Sequence, residues 1–328
     1  MSYNSIVVLG PTASGKTRLA VAIARNIGAE IISADSRQVY RGLDIGSGKD
    51  LREYTVDDVT VPYHLIDAAD VSREYSVFDF QRDAYKAFMD ITARHVIPLI
   101  AGGTGMYLDS LIRGYDFVET PVNHELRENL NGLPIEELAR RLFALKNGVL
   151  HNSTDTAARD RLIRAIEIET FSQSEEGKRA RATVRRPDIQ PLMLGVFFPR
   201  DVLRKRITAR LRERFEAGMI DEVRGLHEKG VSWERLEQLG LEYKFTARFL
   251  QSKSVLHGRV TAEDELFDAL NTAIAQFAKR QETWFRGMER KGAVIHRVRI
   301  ESGSASIESA MEIIEGADQC RIPSYSPP

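Results

Sequence analysis

Residues 10–17 of this chain read Gly10-Pro11-Thr12-Ala13-Ser14-Gly15-Lys16-Thr17, the spacing G-x-x-x-x-G-K-[ST]. In such a run the glycines let backbone N–H groups turn inward around phosphate oxygens. Lys16 adds a positive charge, the helix that follows points its N-terminus at the anion, and Thr17 can ligate Mg²⁺. The run specifies a phosphate cradle without fixing its ligand: a nucleoside triphosphate is the default occupant, and any diphosphate fits the same groups. Asp35-Ser36 and Gly102-Gly103-Thr104 each follow an apolar run. An Asp in that place either caps the next helix or aims a carboxylate into a cleft as a general base. Gly102-Gly103-Thr104 is either a tight strand-to-helix turn or a way of presenting the Thr104 hydroxyl to a reacting oxygen. Arg206 and Arg210 stand four apart, on one face of a helix. Either they pair with surface acids, or one of them reaches the cradled anion and stabilises charge building on it. His64 has no partner evident in the sequence, and packing is its expected role.

These residues act together only if a scaffold brings them to one place. The apolar run 6–9 reads as a buried strand, and Leu19, Ala20, Ile23, Ala24 and Ile27 form the stripe of an amphipathic helix over 15–27. Residues 30–34 and 97–101 read as further buried strands, with helices over 78–92 and 106–113. Strands alternating with helices indicate a parallel sheet and an α/β fold. Ligands of such sheets sit at the carboxyl ends of the strands, where Gly10, Asp35 and Thr104 all fall. After Gly114 the pattern turns charged and helical, with Leu138, Leu142 and Leu145 on one face and Leu162, Ile166 and Ile168 later. The expected organisation is a P-loop core over 1–116, a helical insertion over 117–184, the rest of the core over 185–301 and a poorly ordered polar tail over 302–328. Within it, 172–178 reads as a mobile loop and 190–198 as a returning strand. A helix capped by Asp201 runs to near Gly218, and another covers 263–286, with Phe267, Leu270, Ile274, Phe277 and Trp284 as its core stripe.

With 328 residues and 43% hydrophobic content the chain can bury a sizeable core. Its single cysteine, Cys320, permits no internal disulfide and disfavours a cysteine zinc site. No run is long and apolar enough to span a bilayer, and the N-terminus shows no signal-peptide pattern, so a cytoplasmic protein is expected. The net charge of −1 says nothing of a polyanionic partner. Between Lys178 and Arg214, however, twelve Lys or Arg face only Asp188, Asp201 and Glu213. That excess suits either a solvated face or a phosphate-backbone contact.

In chain order, several short runs resemble the bacterial tRNA dimethylallyltransferases, the tRNA isopentenyl transferases of the IPP transferase family. They are residues 10–17, Asp35-Ser36-Arg37-Gln38-Val39-Tyr40, Gly42-Leu43-Asp44-Ile45-Gly46, His64-Leu65-Ile66-Asp67 and Ala101-Gly102-Gly103-Thr104-Gly105-Met106-Tyr107. Arg161-Leu162-Ile163-Arg164-Ala165-Ile166-Glu167 and Ala278-Lys279-Arg280-Gln281-Glu282-Thr283-Trp284-Phe285-Arg286 continue the order. Each run is modest, and the ordered set is specific. Two stretches depart from the family's usual wording. Asp44-Ile45-Gly46-Ser47-Gly48-Lys49-Asp50 stands where Asp-Ile-Gly-Thr-Ala-Lys-Pro is usual, and Gly240-Leu241-Glu242-Tyr243-Lys244 where Gly-Tyr-Lys or Gly-Tyr-Arg is commoner.

The resemblance implies transfer of a dimethylallyl group from dimethylallyl diphosphate to N6 of adenine 37 in tRNA, by a Mg²⁺-using enzyme expected to be monomeric. It implies that residues 10–17 hold the donor's diphosphate rather than ATP. It makes Asp35 the base, puts Thr104 at the reacting centre and Arg210 on the diphosphate. By the same resemblance, tRNA contacts fall on Asp35, Ser36, Arg37, Gln38, Thr104 and Arg127. Others fall on Asp160, Arg161, Leu162, Ile163 and Arg164, and on Glu237, Gln238, Leu239, Gly240, Leu241 and Glu242. The rivals are a P-loop small-molecule kinase, a prenyltransferase acting on free AMP, and an RNA-binding protein without catalysis. The ordered downstream runs disfavour the first, the helical insertion and basic segment the second, and the joint presence of Asp35, Thr104 and the P-loop the third.

Overall fold

The structure, a computed structural model, describes residues 3–146, 148, 159–252, 261–299 and 305–317. Its strands in chain order are β1 (Ser5–Leu9), β2 (Glu30–Ser33), β3 (Thr55–Val56), β4 (Val59–Thr60), β5 (Tyr63–His64), β6 (Pro98–Gly102), β7 (Pro191–Gly195) and β8 (Ile295–Arg297). Six of them form one sheet in the order β5-β2-β6-β1-β7-β8, with every pairing parallel, while β3 and β4 make a small hairpin. The helices of this part are α1 (Lys16–Ile27), α2 (Val77–Ala93) and α3 (Gly105–Arg113). Helices of the second part, 115–186, are α4 (His124–Asn131), α5 (Ile135–Leu145), α6 (Arg159–Gln173) and α7 (Glu175–Ala182). The chain then returns through α8 (Arg200–Glu216), α9 (Met219–Glu228), α10 (Trp233–Gln238), α11 (Leu241–Ser252), α12 (Thr261–Arg290) and α13 (Ala305–Gly316).

The central strand β1 shows why the sheet reads as continuous apolar runs. All five of its residues are buried. Ile6 and Val8 pack with Leu19, Ile23 and Ala24 of α1, whereas Val7 and Leu9 pack with Phe80, Phe88 and Leu108 of α2 and α3. A strand covered on both faces has no solvent side to alternate with. Truncating Ile6 to Ala at such a site costs about 2–5 kcal/mol. α1 stops at Gly28, whose φ of 68° lets its N–H return to the Ala24 carbonyl. α2 starts on a capping box between Ser76 and Asp79.

The chain divides into two compact units, 1–114 with 187–328, and 115–186. The second unit has its own core of Leu130, Leu138, Leu142, Leu162, Ile163 and Ile166.

Three local expectations change. The tail is not featureless, because α13 buries Ala310 and Ile314 against the α1 side of the sheet. Ile307, Ala310, Met311 and Ile314 form a helical stripe that the polar, proline-ended composition hides. The rest of the tail, Cys320 included, lies outside the described residues. Residues 172–178 are not a loop: α6 runs into α7 through Ser174, whose hydroxyl accepts from the Gly177 N–H at 3.0 Å. Gly177 is there because a Cβ would collide with the Phe171 carbonyl. Finally, Pro199 occupies the N-cap of α8 and Asp201 sits in its first turn, where a carboxylate faces the helix dipole.

Candidate active site

The cradle forms between the end of β1 and the start of α1. Gly15 has φ 81° and Ala13 φ 60°, a left-handed conformation that costs a residue with a Cβ. Arg206 helps to hold it, donating from Nε to the Ala13 carbonyl at 2.8 Å while its guanidinium lies 4.6 Å over the Phe198 ring. Among the described residues Arg206 forms no ion pair with an acid. It clamps the loop. Gly10 is required because a Cβ would stand 2.6 Å from the Val196 carbonyl oxygen. Lys16 follows, and burial lowers its ammonium to about 8, with Arg210 and Arg214 pushing the same way and Asp35 opposing. The buried Ser14 hydroxyl finds no partner among the described residues.

Parallel pairing sets the ends of β1, β2 and β6 side by side, Leu9 opposite Gly102 and Ser33 opposite Ala101. Thr104 therefore meets the segment after β2. Its hydroxyl accepts from the Ser36 N–H at 3.1 Å, and its own N–H donates to the Ala34 carbonyl at 3.3 Å. Asp35 uses Oδ1 to accept from Arg37 N–H at 2.9 Å and Gln38 N–H at 3.3 Å. That is a turn held by the side chain, which fixes the carboxylate. No hydrogen bond reaches Oδ2 among the described residues. Asp35 caps no helix: a turn follows β2, and Oδ1 stabilises it.

Gln281 of α12 ties the cradle to the Gly-Gly-Thr turn. Its amide oxygen accepts from Thr12 N–H and its amide nitrogen donates to the Gly103 carbonyl, each at 2.8 Å. Trp284, one turn on, packs against the backbone of Gly105. Gln281 lies within a motif the sequence made visible, but its role emerges only from these two bonds. His64 has a partner after all, the Glu30 carboxylate at 2.8 Å, which Arg94 also holds.

A cavity of about 900 Å³ opens beside the cradle. Lys16, Thr17, Arg206, Arg210 and Arg214 line it, together with Asp50 and Glu53. Asp35 and Thr104 are not among its lining residues, but both come near Lys16: a Cβ on Gly103, next to Thr104, would lie 3.3 Å from Lys16 Cε, and the Asp35 charge acts on the Lys16 ammonium. Burial lowers the Arg210 guanidinium to about 10, and neighbouring Arg214 adds to the shift. Burial also raises the Glu53 carboxyl, against the pull of Arg210. The wall at 44–48 is pinned from outside. The Glu222 carboxylate accepts from the N–H groups of Asp44, Ile45 and Gly46 at 3.0, 2.6 and 3.0 Å. Tyr243 donates to Glu222 at 2.8 Å and accepts from Ser47 N–H at 3.1 Å. Arg210 and Gln38 both donate to the Gly48 carbonyl, at 3.1 and 3.4 Å. The two stretches that depart from the family wording, 47–50 and 240–244, are therefore in contact. Sequence reasoning passed over Glu222, Tyr243 and Arg214. The spacing of four that marked Arg206 and Arg210 continues to Arg214 and was the available signal.

The residues expected on tRNA separate into three groups. Ser36, Arg37 and Gln38 adjoin the site, and Arg37 reaches the 237–242 segment: a Cβ on Gly240, at φ 130°, would stand 2.9 Å from Arg37 Nε. In that segment Glu237 accepts from Arg248 at 2.8 Å, Gln238 ends α10, Leu239 is buried, Leu241 begins α11 and Glu242 accepts from Arg214 at 2.8 Å. In the second unit Asp160 and Arg161 are exposed, whereas Leu162 and Ile163 are buried in its core. Arg127 and Arg164 both grip Glu167, a side chain 1% exposed, which also accepts from Asn123 N–H at 2.6 Å. Burial pushes the Glu167 carboxyl up, and these donors outweigh it, holding it at about 2. The basic run of the sequence is likewise divided. Lys178, Arg179 and Arg181 lie on α7 of the second unit, while Arg206, Arg210 and Arg214 of α8 turn toward the cradle. No helix among the described residues is long and apolar enough to cross a membrane, and no group of three His, Cys, Asp or Glu is placed to hold a metal ion.

Comparison with known proteins places this geometry. An isopentenyl transferase family model matches residues 3–59, and the IPP transferase family model matches residues 38–288. A tRNA dimethylallyltransferase 2 of Treponema denticola is 54% identical over 296 residues, covering 90% of this chain and 96% of its own. The crystal structure of a full-length tRNA isopentenylpyrophosphate transferase from Bacillus halodurans superposes with a TM-score of 0.66 at 29% identity, covering 96% of this chain and 97% of its own. A eukaryotic dimethylallyltransferase solved acting on tRNA shares the fold at a TM-score of 0.75 and 22% identity, covering all of this chain and 82% of its own. With most of its length matched by the family model and by a relative of that identity, the chain belongs to the IPP transferase family.

Proposed function

We propose that this chain moves the dimethylallyl group of dimethylallyl diphosphate onto N6 of adenine 37 in tRNA and releases diphosphate. The observation that carries the reading is a cation-lined cavity holding Lys16 together with the underused Asp35 carboxylate whose charge acts on Lys16. An exocyclic adenine amine is a weak nucleophile, because its lone pair is delocalised into the ring. As the N6–C bond forms and the allylic C–O bond breaks, a proton must leave N6. Asp35 Oδ2 is the acceptor for that proton. The electron pair of the broken bond goes to the departing diphosphate. Lys16, Arg210, the start of α1 and the backbone of residues 10–17 stabilise the charge that gathers there. Thr104, fixed by Ser36 and Ala34, holds its hydroxyl at the join between the two halves.

Mg²⁺ fits the donor set. It takes oxygen ligands, keeps several waters and needs few protein groups. Thr17 supplies the hydroxyl, the cavity carries Asp50 and Glu53, and the diphosphate itself would provide the remaining oxygens. When bound, the ion supplies further charge neutralisation on the leaving group.

The adenine must leave its stack to reach Asp35, as expected for an enzyme that alters a base in an RNA loop. The decisive experiment offers labelled dimethylallyl diphosphate with tRNA, AMP and a panel of kinase substrates in parallel. Label on tRNA alone is the expected result. Productive ATP-dependent phosphorylation with tRNA left unlabelled would sink the reading.

A further inference from the structure

The cavity contains an arginine that the transfer chemistry leaves unused. Arg214 lies one turn beyond Arg210 on α8, and its side chain is 11% exposed. Nη1 donates to the Gly46 carbonyl at 3.0 Å and to the Glu242 carboxylate at 2.8 Å. Nε is buried without a partner among the described residues. The other arm, Nη2, lies over the α-carbon of Gly48, and so does Nη2 of Arg210. A Cβ at Gly48 would overlap both. The glycine, at φ 67°, thus leaves room for two guanidinium arms to meet at one point of the cavity wall.

We infer that Arg214 is a second diphosphate-holding arginine and that Glu242, across from it on α11, is its positioning residue. The inference rests on the proposed function above. Two like charges brought together under burial repel, and only an anion between them turns that arrangement favourable. Glu242 answers one charge. Among the described residues neither Lys16 nor Arg210 forms an ion pair, so the cluster keeps positive charge for a ligand. Two converging Nη2 groups, Arg214's and the Arg210 one that also donates to the Gly48 carbonyl, match a ligand with oxygens on two adjacent phosphorus atoms better than one with a single phosphate, since each Nη2 can take an oxygen of its own. A strut needs only the Nη1 bonds from α8 to Gly46 and Glu242. It gives no reason for Nη2 to share the Gly48 wall with Arg210.

The test is equilibrium binding of inorganic pyrophosphate and of inorganic phosphate to the full chain, with melting curves as a check on folding. Arg214→Gln should weaken pyrophosphate by about tenfold or more, the worth of one charged hydrogen bond, and weaken phosphate much less. Arg214→Lys should fall between it and wild type. Glu242→Gln should shift pyrophosphate affinity the same way by less, because it frees Arg214 without removing it. Pyrophosphate affinity unchanged in Arg214→Gln, alongside a clear loss in Arg210→Gln, overturns the inference. So does an equal proportional loss of phosphate and pyrophosphate, the mark of a wall moved as a whole. If Arg214→Gln fails to fold, Arg214→Lys decides: wild-type melting with weaker pyrophosphate supports the contact, and unchanged binding overturns it. A wild-type chain that binds neither pyrophosphate nor dimethylallyl diphosphate is a distinct result, which removes the parent function as well.

Discussion

Two carboxylates in this molecule sit among basic or N–H donors, and they are used in opposite ways. Glu167 in the second unit spends both oxygens: Arg127 and Arg164 grip it, and the Asn123 N–H fills what remains. Asp35 at the end of β2 spends one oxygen on its own turn and leaves the other without a hydrogen bond among the described residues. The arginines divide likewise. Those around Glu167 are neutralised by a carboxylate, whereas Arg206 and Arg210 bond to backbone carbonyls and keep their charge. A saturated group stabilises a fold. A group held in place but left unsaturated is available to a ligand, and burial makes its unmet capacity count. Formal charge in the sequence therefore overstates what the second unit can offer a phosphate and understates what α8 offers one.

The sharpest test of that contrast is Asp35→Asn. Single-turnover transfer should fall roughly a thousandfold, the scale of a lost general base, with pyrophosphate affinity and melting temperature near wild type. An unaltered transfer rate would remove Asp35 as base. Next in size, Glu167→Gln should destabilise the second unit by about 1–3 kcal/mol, because it removes the buried charge that two half-exposed guanidiniums and an N–H share. Limited proteolysis within 115–186 would report it, while pyrophosphate binding stays unchanged. Loss of pyrophosphate binding without proteolytic sensitivity would reverse the roles given to the two carboxylates. The pH dependence runs with the same sign, since the folded carboxyl sits at about 2 against an ordinary 4.5. Glu167 contributes stability above the ordinary value, and that contribution is lost as pH falls toward 2.

A smaller effect concerns Lys16, whose folded value of about 8 lies below its ordinary 10.5. The ammonium needed by an anion is present below about pH 8 and lost above it. Pyrophosphate affinity should therefore weaken by at most about tenfold per pH unit above that point, and binding should take up a proton. Calorimetry in buffers of different ionisation enthalpy measures this uptake, and Lys16→Met should abolish it. Smallest is the triple change Lys178→Gln, Arg179→Gln and Arg181→Gln on the exposed face of α7. Each lost phosphate contact should reduce the salt slope of tRNA binding by about 0.9 or less, with transfer at saturating tRNA preserved. An identical slope would class these residues with the solvated faces.

How much was legible before folding follows the range of the interactions. The cradle was readable because its work is done by consecutive backbone groups, so the spacing from Gly10 to Thr17 is itself the site. β1 and β6 were readable because strands buried on both faces must be apolar throughout. The stretch at 172–178 reads as a loop because nothing local shows that Gly177 is a glycine for the sake of the Phe171 carbonyl beside it. Arg127 and Arg164 are expected on tRNA through the resemblance alone, and nothing local announces that both will also bind Glu167.

The sequence alone therefore determined the phosphate chemistry, the parallel sheet that presents it and the ends of strands where Asp35 and Thr104 had to fall. Tertiary structure decided which of the many polar side chains remain available. Gln281 reaches Thr12 across 269 positions, and Glu222 reaches Asp44 across 178. Such bonds follow from distances set by packing, and no local pattern of residue types encodes them.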